Sequence, residues 1–543
     1  MTAAAPQTPP QSSPRTTMTG GDALARQLRA EGVEVIFGLP GDQLMSALDA
    51  LVDVPEIRYI VTRHEQATTY MADGYARAAG RPGVAMVVPG VGVYNAASGL
   101  ATAHACSSPV LLVSGQVNRH GIGRDLGLLH DVHDQLDIVR PITKWAERVT
   151  EADGIAAGVH EAFVQMNSGR PRPTEIEIPP EAFAETTDSA LLAAAQRRPV
   201  IPAEADLAKA AELLAGASSP LIIAGGGAVL GDAGAALTAL AEKLQALVVT
   251  SREGKGAIDD RNPLSVGTMW VNKRLRPVLD SADVVLAVGT RMQGFGLAPS
   301  QTLIHVDADA DQIGRNSPVS VAVPGDARLS LEALSALLGD VTSPSRAEEG
   351  RAVRAAVLAE LHAIGPQFRI VEALREGVPE DGILVCDTAT MAYACHMSYP
   401  VYAPRTYLST SYMGTLGFGY PAALGVKVAQ PDRPVVTVVG DGGFLFASNE
   451  MATAVQHGIN TVTVVFDDGA YGNSNRDQQE KFGGRELGTR LQNPDWAKLA
   501  SAFGVESRRV DDLATLPQVL REACAAGAST LIAVPIDRLP SPF

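Results

Sequence analysis

The chain has 543 residues, 46% hydrophobic and 19% charged, which at roughly 150 residues per domain suits about three or four globular domains. This composition excludes a disordered chain, a collagen-like fold and a small disulfide scaffold. Lys+Arg 44 against Asp+Glu 60 gives a formal charge of −16. That excludes a large nucleic-acid footprint, because phosphate binding needs a basic face, but leaves room for a local basic pocket.

Residues 1–18 are mostly Ala, Pro, Gln, Ser and Thr, and read as a disordered tail with no secretory signal. The cysteines Cys106, Cys386, Cys395 and Cys524 form no CxxC and no zinc spacing. They predict free thiols and a cytoplasmic protein. The stretch 82–118 lacks Asp, Glu, Lys and Arg, but its prolines and glycines break it into pieces too short to span a membrane. Buried parallel strands alternating with a helix explain it better.

A helical run over 22–30 precedes a short strand at 34–37. A strand at 58–61 leads through Arg63-His64-Glu65 into a helix at 66–79. A strand at 83–88 meets the turn Pro89-Gly90-Val91-Gly92, followed by a helix near 94–105 and a strand at 110–114. The Ala-rich stretch 183–203 reads as a linker. A second series starts at Pro220, with Gly225-Gly226-Gly227 and strands at 284–288 and 303–307. The triple glycine lacks a clean GxGxxG and predicts a tight turn between strand and helix. After a second polar linker at 339–350, a third series begins near Phe368. It contains a strand at 435–439, Gly440-Asp441-Gly442-Gly443, a helix near 448–456, a strand at 461–466 and Asp467-Asp468-Gly469-Ala470-Tyr471-Gly472. Strands separated by helices throughout predict an α/β protein of parallel sheets. The domains are expected at 19–182, 204–338 and 364–537.

Asp441 follows one predicted strand and Asp468 the next, so both carboxylates are expected at the carboxyl edge of a parallel sheet, where such sheets bind ligands. Glycines let the backbone approach an anion, and the next helix offers its N-terminal N–H groups. Two carboxylates and a carbonyl are hard oxygen ligands, suited to Mg²⁺ or Ca²⁺ carrying a polyphosphate. A single Asp-Gly would read as a turn; two at this spacing read as a site.

These residues resemble the thiamin-diphosphate motif of the superfamily that holds 2-oxo acid decarboxylases, acetolactate synthases and benzaldehyde lyase. The segments Gly38-Leu39-Pro40-Gly41, Arg63-His64-Glu65, Ala72-Asp73-Gly74-Tyr75-Ala76-Arg77, Thr143-Lys144-Trp145 and Gly414-Thr415-Leu416-Gly417-Phe418-Gly419 extend the resemblance over almost the whole chain. It implies pyrimidine-binding, central and diphosphate-binding α/β domains. It also implies thiamin diphosphate held through Mg²⁺ by Asp441, Asp468 and the carbonyl of Ala470, with Gly440, Gly442, Gly443, Tyr471 and Gly472 around the cofactor. This chain departs from the commoner pattern, having Asp467 and Asp468 where two Asn usually stand. Gly414 would offer its carbonyl to the aminopyrimidine and Leu416 would prop the cofactor. Glu65 would hold a proton at the aminopyrimidine nitrogen, promoting loss of the thiazolium C2 proton.

Asp42 and His130 are the expected substrate-facing residues. Asp42 matches an aspartate of simple decarboxylases, or is a turn or N-cap residue. His130 falls where benzaldehyde lyase has a glutamine, or belongs, with His133, to a metal pair or a surface helix. The resemblance implies a homodimer or homotetramer with active sites at the subunit interface, acting on a small molecule and on neither nucleic acid nor membrane. Acetolactate-synthase-like chemistry on a 2-oxo acid is the first reading. The alternatives are a 2-hydroxy ketone lyase, a plain 2-oxo acid decarboxylase and a non-catalytic cofactor-binding subunit. FAD is not expected, because Gly289-Thr290-Arg291-Met292-Gln293-Gly294 replaces the Asp-Asp-Arg stretch of flavin-binding acetolactate synthases.

Overall fold

The computed structural model describes residues 18–269 and 272–543. The tail expected over 1–18 lies, apart from Met18, outside the described residues. The named strands form three six-stranded sheets, and each strand pairing is parallel. The first sheet contains β1 (Val35–Gly38), β2 (Arg58–Val61), β3 (Gly83–Val87), β4 (Val110–Gly115), β5 (Trp145–Arg148) and β6 (Thr174–Ile178), in the order β2-β1-β3-β4-β6-β5. The second contains β7 (Pro220–Ala224), β8 (Leu247–Thr250), β9 (Ser265–Thr268), β10 (Val284–Val288), β11 (Thr302–Asp307) and β12 (Val321–Pro324), ordered β12-β11-β10-β7-β8-β9. The third contains β13 (Ile383–Cys386), β14 (Tyr407–Leu408), β15 (Val435–Gly440), β16 (Val462–Asp467), β17 (Glu506–Arg509) and β18 (Thr530–Pro535), ordered β14-β13-β15-β16-β18-β17.

Counted from its own first strand, the first sheet has the same strand order as the third. The second has the order of dinucleotide-binding folds. Interior strands such as β10, Val-Val-Leu-Ala-Val, are buried at every position because helices cover both faces.

Several local expectations shift. The helix expected near 94–105 runs Val91–Cys106, starting directly after Gly90, whose φ is +55°. The segment expected as a helix near 448–456 is a 3₁₀ turn, Ser448–Glu450, followed by the helix Met451–His457. The linker expected at 339–350 ends in the helix Ala347–Ile364.

The first and third units meet through the helices Glu65–Ala79 and Gly419–Ala429. A Cβ on Gly74 would lie 2.1 Å from the Ala422 carbonyl oxygen, and one on Gly425 would lie 1.9 Å from that of Met71. Glycine at both positions therefore permits a backbone approach that alanine would block. Tyr70 and Phe418 pack edge to face in this interface, their centroids 5.5 Å apart. Buried Arg77 joins all three units, donating to Asp73, to Glu253 at 2.8 Å and to the Ser409 carbonyl at 2.7 Å.

Candidate active site

β15 and β16 are neighbours in register, Gly440 opposite Phe466, so their carboxyl ends emerge side by side. Asp441 opens the short helix Asp441–Leu445 and is buried. Asp467 ends β16, and the turn Asp468–Tyr471 leads into the helix Gly472–Lys481. This is the expected juxtaposition of carboxylates. The environment works against their charge. Burial, reinforced by Asp467, raises the pKa of Asp441. Burial and the negative charge of Asp441 push Asp468 up to about 6.

Asn493, which the sequence reading missed, bridges the cluster. Its Nδ2 donates to Asp441 at 2.6 Å and to Asp467 at 2.7 Å, while its Oδ1 is buried with no hydrogen-bond partner. Trp496 Nε1 donates to the other oxygen of Asp467 at 2.6 Å. Asp467 is thus tied into the fold, leaving Asp441 and Asp468 as the freer pair. Ala470 pairs with Arg490 through the bonds Tyr471 N–H to Thr489 O and Leu491 N–H to Gly469 O. The Ala470 carbonyl takes no part in this pairing. A Cβ on Gly472 would lie 2.4 Å from Asp468 Oδ2, and one on Gly442 would lie 2.6 Å from the Tyr471 ring. Gly440 and Gly443 are less crowded. Among the described residues no ready-made cluster of three or more His, Cys, Asp or Glu side chains could hold a metal. Two carboxylates, a free carbonyl and the orphaned Asn493 oxygen form an acceptor-rich pocket that fits a hydrated hard cation.

Gly414 is exposed, with φ +62°, and Leu416 is only partly buried, outside the apolar core. Asp387, also missed, holds this segment. At the end of β13, its Oδ2 accepts the Gly419 N–H at 2.8 Å, and its burial pushes the carboxyl up to about 6.

In the first unit, Glu65 is the first residue of its helix and is buried. Its Oε2 accepts from Asn95 Nδ2 at 3.0 Å. No hydrogen bond among the described residues links Glu65 to the Asp441–Asp468 cluster. Asp42 is exposed in the 3₁₀ turn Asp42–Leu44 and makes no capping bond, so it is not an N-cap. Next to it, Gln43 Nε2 donates to the Leu129 carbonyl at 3.1 Å, and a Cβ on Gly90 would lie 2.3 Å from the His130 oxygen. The loops of Asp42, Gly90 and His130 therefore converge at the carboxyl edge of the first sheet. His130 is partly buried, with φ +68°, a left-handed conformation rare outside glycine. It lies in a turn, not on a surface helix, and His133 is exposed and pairs with Asp125. Thr143-Lys144-Trp145 has structural partners: Thr143 bonds the Val139 carbonyl, Lys144 bonds carbonyls at 168, 170 and 173, and Trp145 opens β5.

A cavity of about 980 Å³ lies elsewhere, at the carboxyl edge of the central sheet. Gly226, Gly227, Gly289, Arg170, Arg291 and Asp307 help line it. The triple glycine does form a turn from β7 into the helix Gly226–Leu230, and it also borders this cavity.

Comparison with known proteins shows the family. Residues 18–139 match the N-terminal TPP binding domain of thiamine pyrophosphate enzymes, 207–334 the central domain and 387–534 the C-terminal TPP binding domain. The chain belongs to the thiamin-diphosphate-dependent enzymes, and it is an enzyme of that family. It is 36% identical to a probable 2-ketoarginine decarboxylase of Pseudomonas aeruginosa, over 96% of this chain and 94% of that protein. It is 33% identical to a probable acetolactate synthase large subunit of Methanocaldococcus jannaschii, over 96% and 92%. It is 30% identical to the acetolactate synthase isozyme 3 large subunit of Escherichia coli, over 93% and 92%.

Proposed function

We propose that this enzyme is a lyase or carboligase of the acetolactate synthase kind, breaking the bond beside the carbonyl of a 2-oxo acid and transferring or releasing the acyl fragment. The observation that carries this reading is similarity over nearly the full length to acetolactate synthase large subunits. A second reading, a 2-oxo acid decarboxylase, is favoured by the Pseudomonas relative and by an Asp42 carboxylate left free by the fold.

Bound thiamin diphosphate would supply a nucleophilic carbon for attack on the carbonyl. In this reading the chain's own groups do the rest. Asp441, Asp468 and the Ala470 carbonyl hold Mg²⁺. Gly440, Gly442, Gly443, Tyr471 and Gly472 shape the diphosphate cradle. Gly414 and Leu416 position the rings, Glu65 holds the proton at the aminopyrimidine, and Asp42 and His130 move protons on the substrate side. Underneutralised acids and the orphaned Asn493 oxygen support a cation there. Domain boundaries at 19–182, 204–338 and 364–537 suit the three sheets.

Val91, Tyr94, Met413 and Phe446 are exposed apolar side chains on the segments that carry the site, which supports a homodimer or homotetramer closing over it. Four free cysteines support a reducing, cytoplasmic setting. No helix among the described residues is long and apolar enough to cross a membrane. The sequence after β10, Gly289-Thr290-Arg291-Met292-Gln293-Gly294, does not support FAD as a cofactor. A panel of 2-oxo acids, small and basic, with product analysis in thiamin diphosphate and Mg²⁺ tests the reading. A ligated product supports the first form and free aldehyde the second; turnover of benzoin-type ketones alone contradicts both.

A further inference from the structure

Arg476 is 4% exposed, and its Nε and Nη1 are buried without a hydrogen-bond partner. Buried Arg77, by contrast, is paired with Glu253, and partly buried Arg148 with Glu177 and Asp134. No carboxylate of the chain lies within ion-pair distance of Arg476 among the described residues. A guanidinium cannot shed its charge to escape burial, so an unpaired one in the interior calls for an anion from outside the chain.

Its position says where that anion sits. Arg476 lies one turn beyond Gly472 in the helix Gly472–Lys481, on the face shared with Gly472 and Asn473. That face meets the start of the helix Thr390–Ser398, which follows β13. Thr390 Oγ1 donates to Asn473 Oδ1 at 3.5 Å, and a Cβ on Gly472 would lie 3.0 Å from Thr390 Oγ1. Side chains on a helix lean toward its N-terminus, here toward the Asp468 turn at the carboxyl edge of the third sheet. Of the neighbouring acids, Asp467 is held by Asn493 and Trp496 and Asp441 by Asn493, while Asp468 makes no ion pair with Arg476 among the described residues.

We propose that Arg476 binds an oxyanion at this edge, its planar fork taking two oxygens of one carboxylate or phosphate. Two ligands carry that group: the cofactor's diphosphate, and, resting on the functional reading above, the carboxylate of a 2-oxo acid. The three clustered aspartates, a divalent cation and a diphosphate leave excess negative charge, and a buried arginine offsets it.

The test compares wild type with Arg476→Met and Arg476→Lys. Calorimetry measures the Kd of thiamin diphosphate and of inorganic pyrophosphate at fixed Mg²⁺, and kinetics measures KM for the 2-oxo acid that wild type turns over. At least ~10-fold weaker cofactor and pyrophosphate binding in Met, partly restored in Lys, identifies the diphosphate. Unchanged calorimetry with KM raised by ~10-fold or more identifies the carboxylate. Without ligand, Arg476→Met should melt no lower than wild type, since it removes an unpaired buried charge. Unchanged binding and unchanged KM overturn the proposal, as does a ligand-free protein that melts well below wild type. If wild type turns over no 2-oxo acid, the functional reading fails by itself. The calorimetry then decides for Arg476 alone, with unchanged Kd values overturning it.

Discussion

Glu450 accepts the backbone N–H of Arg63 through both carboxylate oxygens, at 3.0 and 3.1 Å, tying the diphosphate-side unit to the turn just before Glu65. Burial pushes this carboxyl up to about 7, against the lowering effect of Thr453 and the backbone donors. The folded pKa thus lies above the unfolded one. Glu450 favours the fold most below the unfolded value, and that contribution is lost as pH rises through about 7, a change on the order of 3 kcal/mol. Glu450→Gln removes the titration. The fall in Tm between pH 5 and pH 8 should be smaller in the variant than in wild type; an equal fall would show that Glu450 does not carry it.

Glu65→Gln keeps size and the Asn95 contact but cannot exchange a proton. Cofactor binding should persist, while C2 hydrogen–deuterium exchange slows by at least ~100-fold. Asn95→Ala, which frees the carboxyl to swing, should slow it less. Exchange at the wild-type rate in Glu65→Gln rules out the proposed role.

Asp468→Asn removes one charge from a repulsive pair and keeps an oxygen donor, so Mg²⁺-dependent cofactor binding should hold or tighten. Asp468→Ala removes the donor, and binding should weaken by roughly 10-fold or more. Calorimetry at fixed Mg²⁺ reads both, and an Ala variant that binds like wild type makes Asp468 a turn residue.

Asp42→Ala and His130→Ala should leave C2 exchange nearly intact, because neither side chain is assigned to the aminopyrimidine. Turnover, or the ratio of aldehyde to ligated product, should shift instead. Product analysis with the best 2-oxo acid checks this; two variants indistinguishable from wild type return both residues to loop structure.

What the sequence made legible was contiguous. Gly440 to Gly443, Asp467 to Gly472 and Arg63 to Glu65 each sit at one strand end, so strand prediction alone sets them at a sheet edge. Asn95, Asp387, Asn493 and Trp496 were not legible, because tertiary packing brings them to their partners from distant segments without a local pattern. A surface helix was one reading of the His130/His133 segment, but Gly123 and Gly127, both at positive φ, and the left-handed His130 turn the chain instead. The shared strand order of the first and third sheets was hidden for a similar reason: strand order is a property of pairing, and the strand sequences record only burial.

The most direct measurement is reconstitution. Protein stripped of cofactor and divalent metal is given a ¹³C-labelled 2-oxo acid, and carbon is followed by NMR as thiamin diphosphate and Mg²⁺ are added singly and together. The account predicts that the acid is consumed only with both present, with its acyl carbons appearing in a new carbon–carbon bond or an aldehyde, and that Glu65→Gln and Asp468→Ala abolish this. Consumption without thiamin diphosphate, or no consumption of any 2-oxo acid by cofactor-loaded protein, would contradict it.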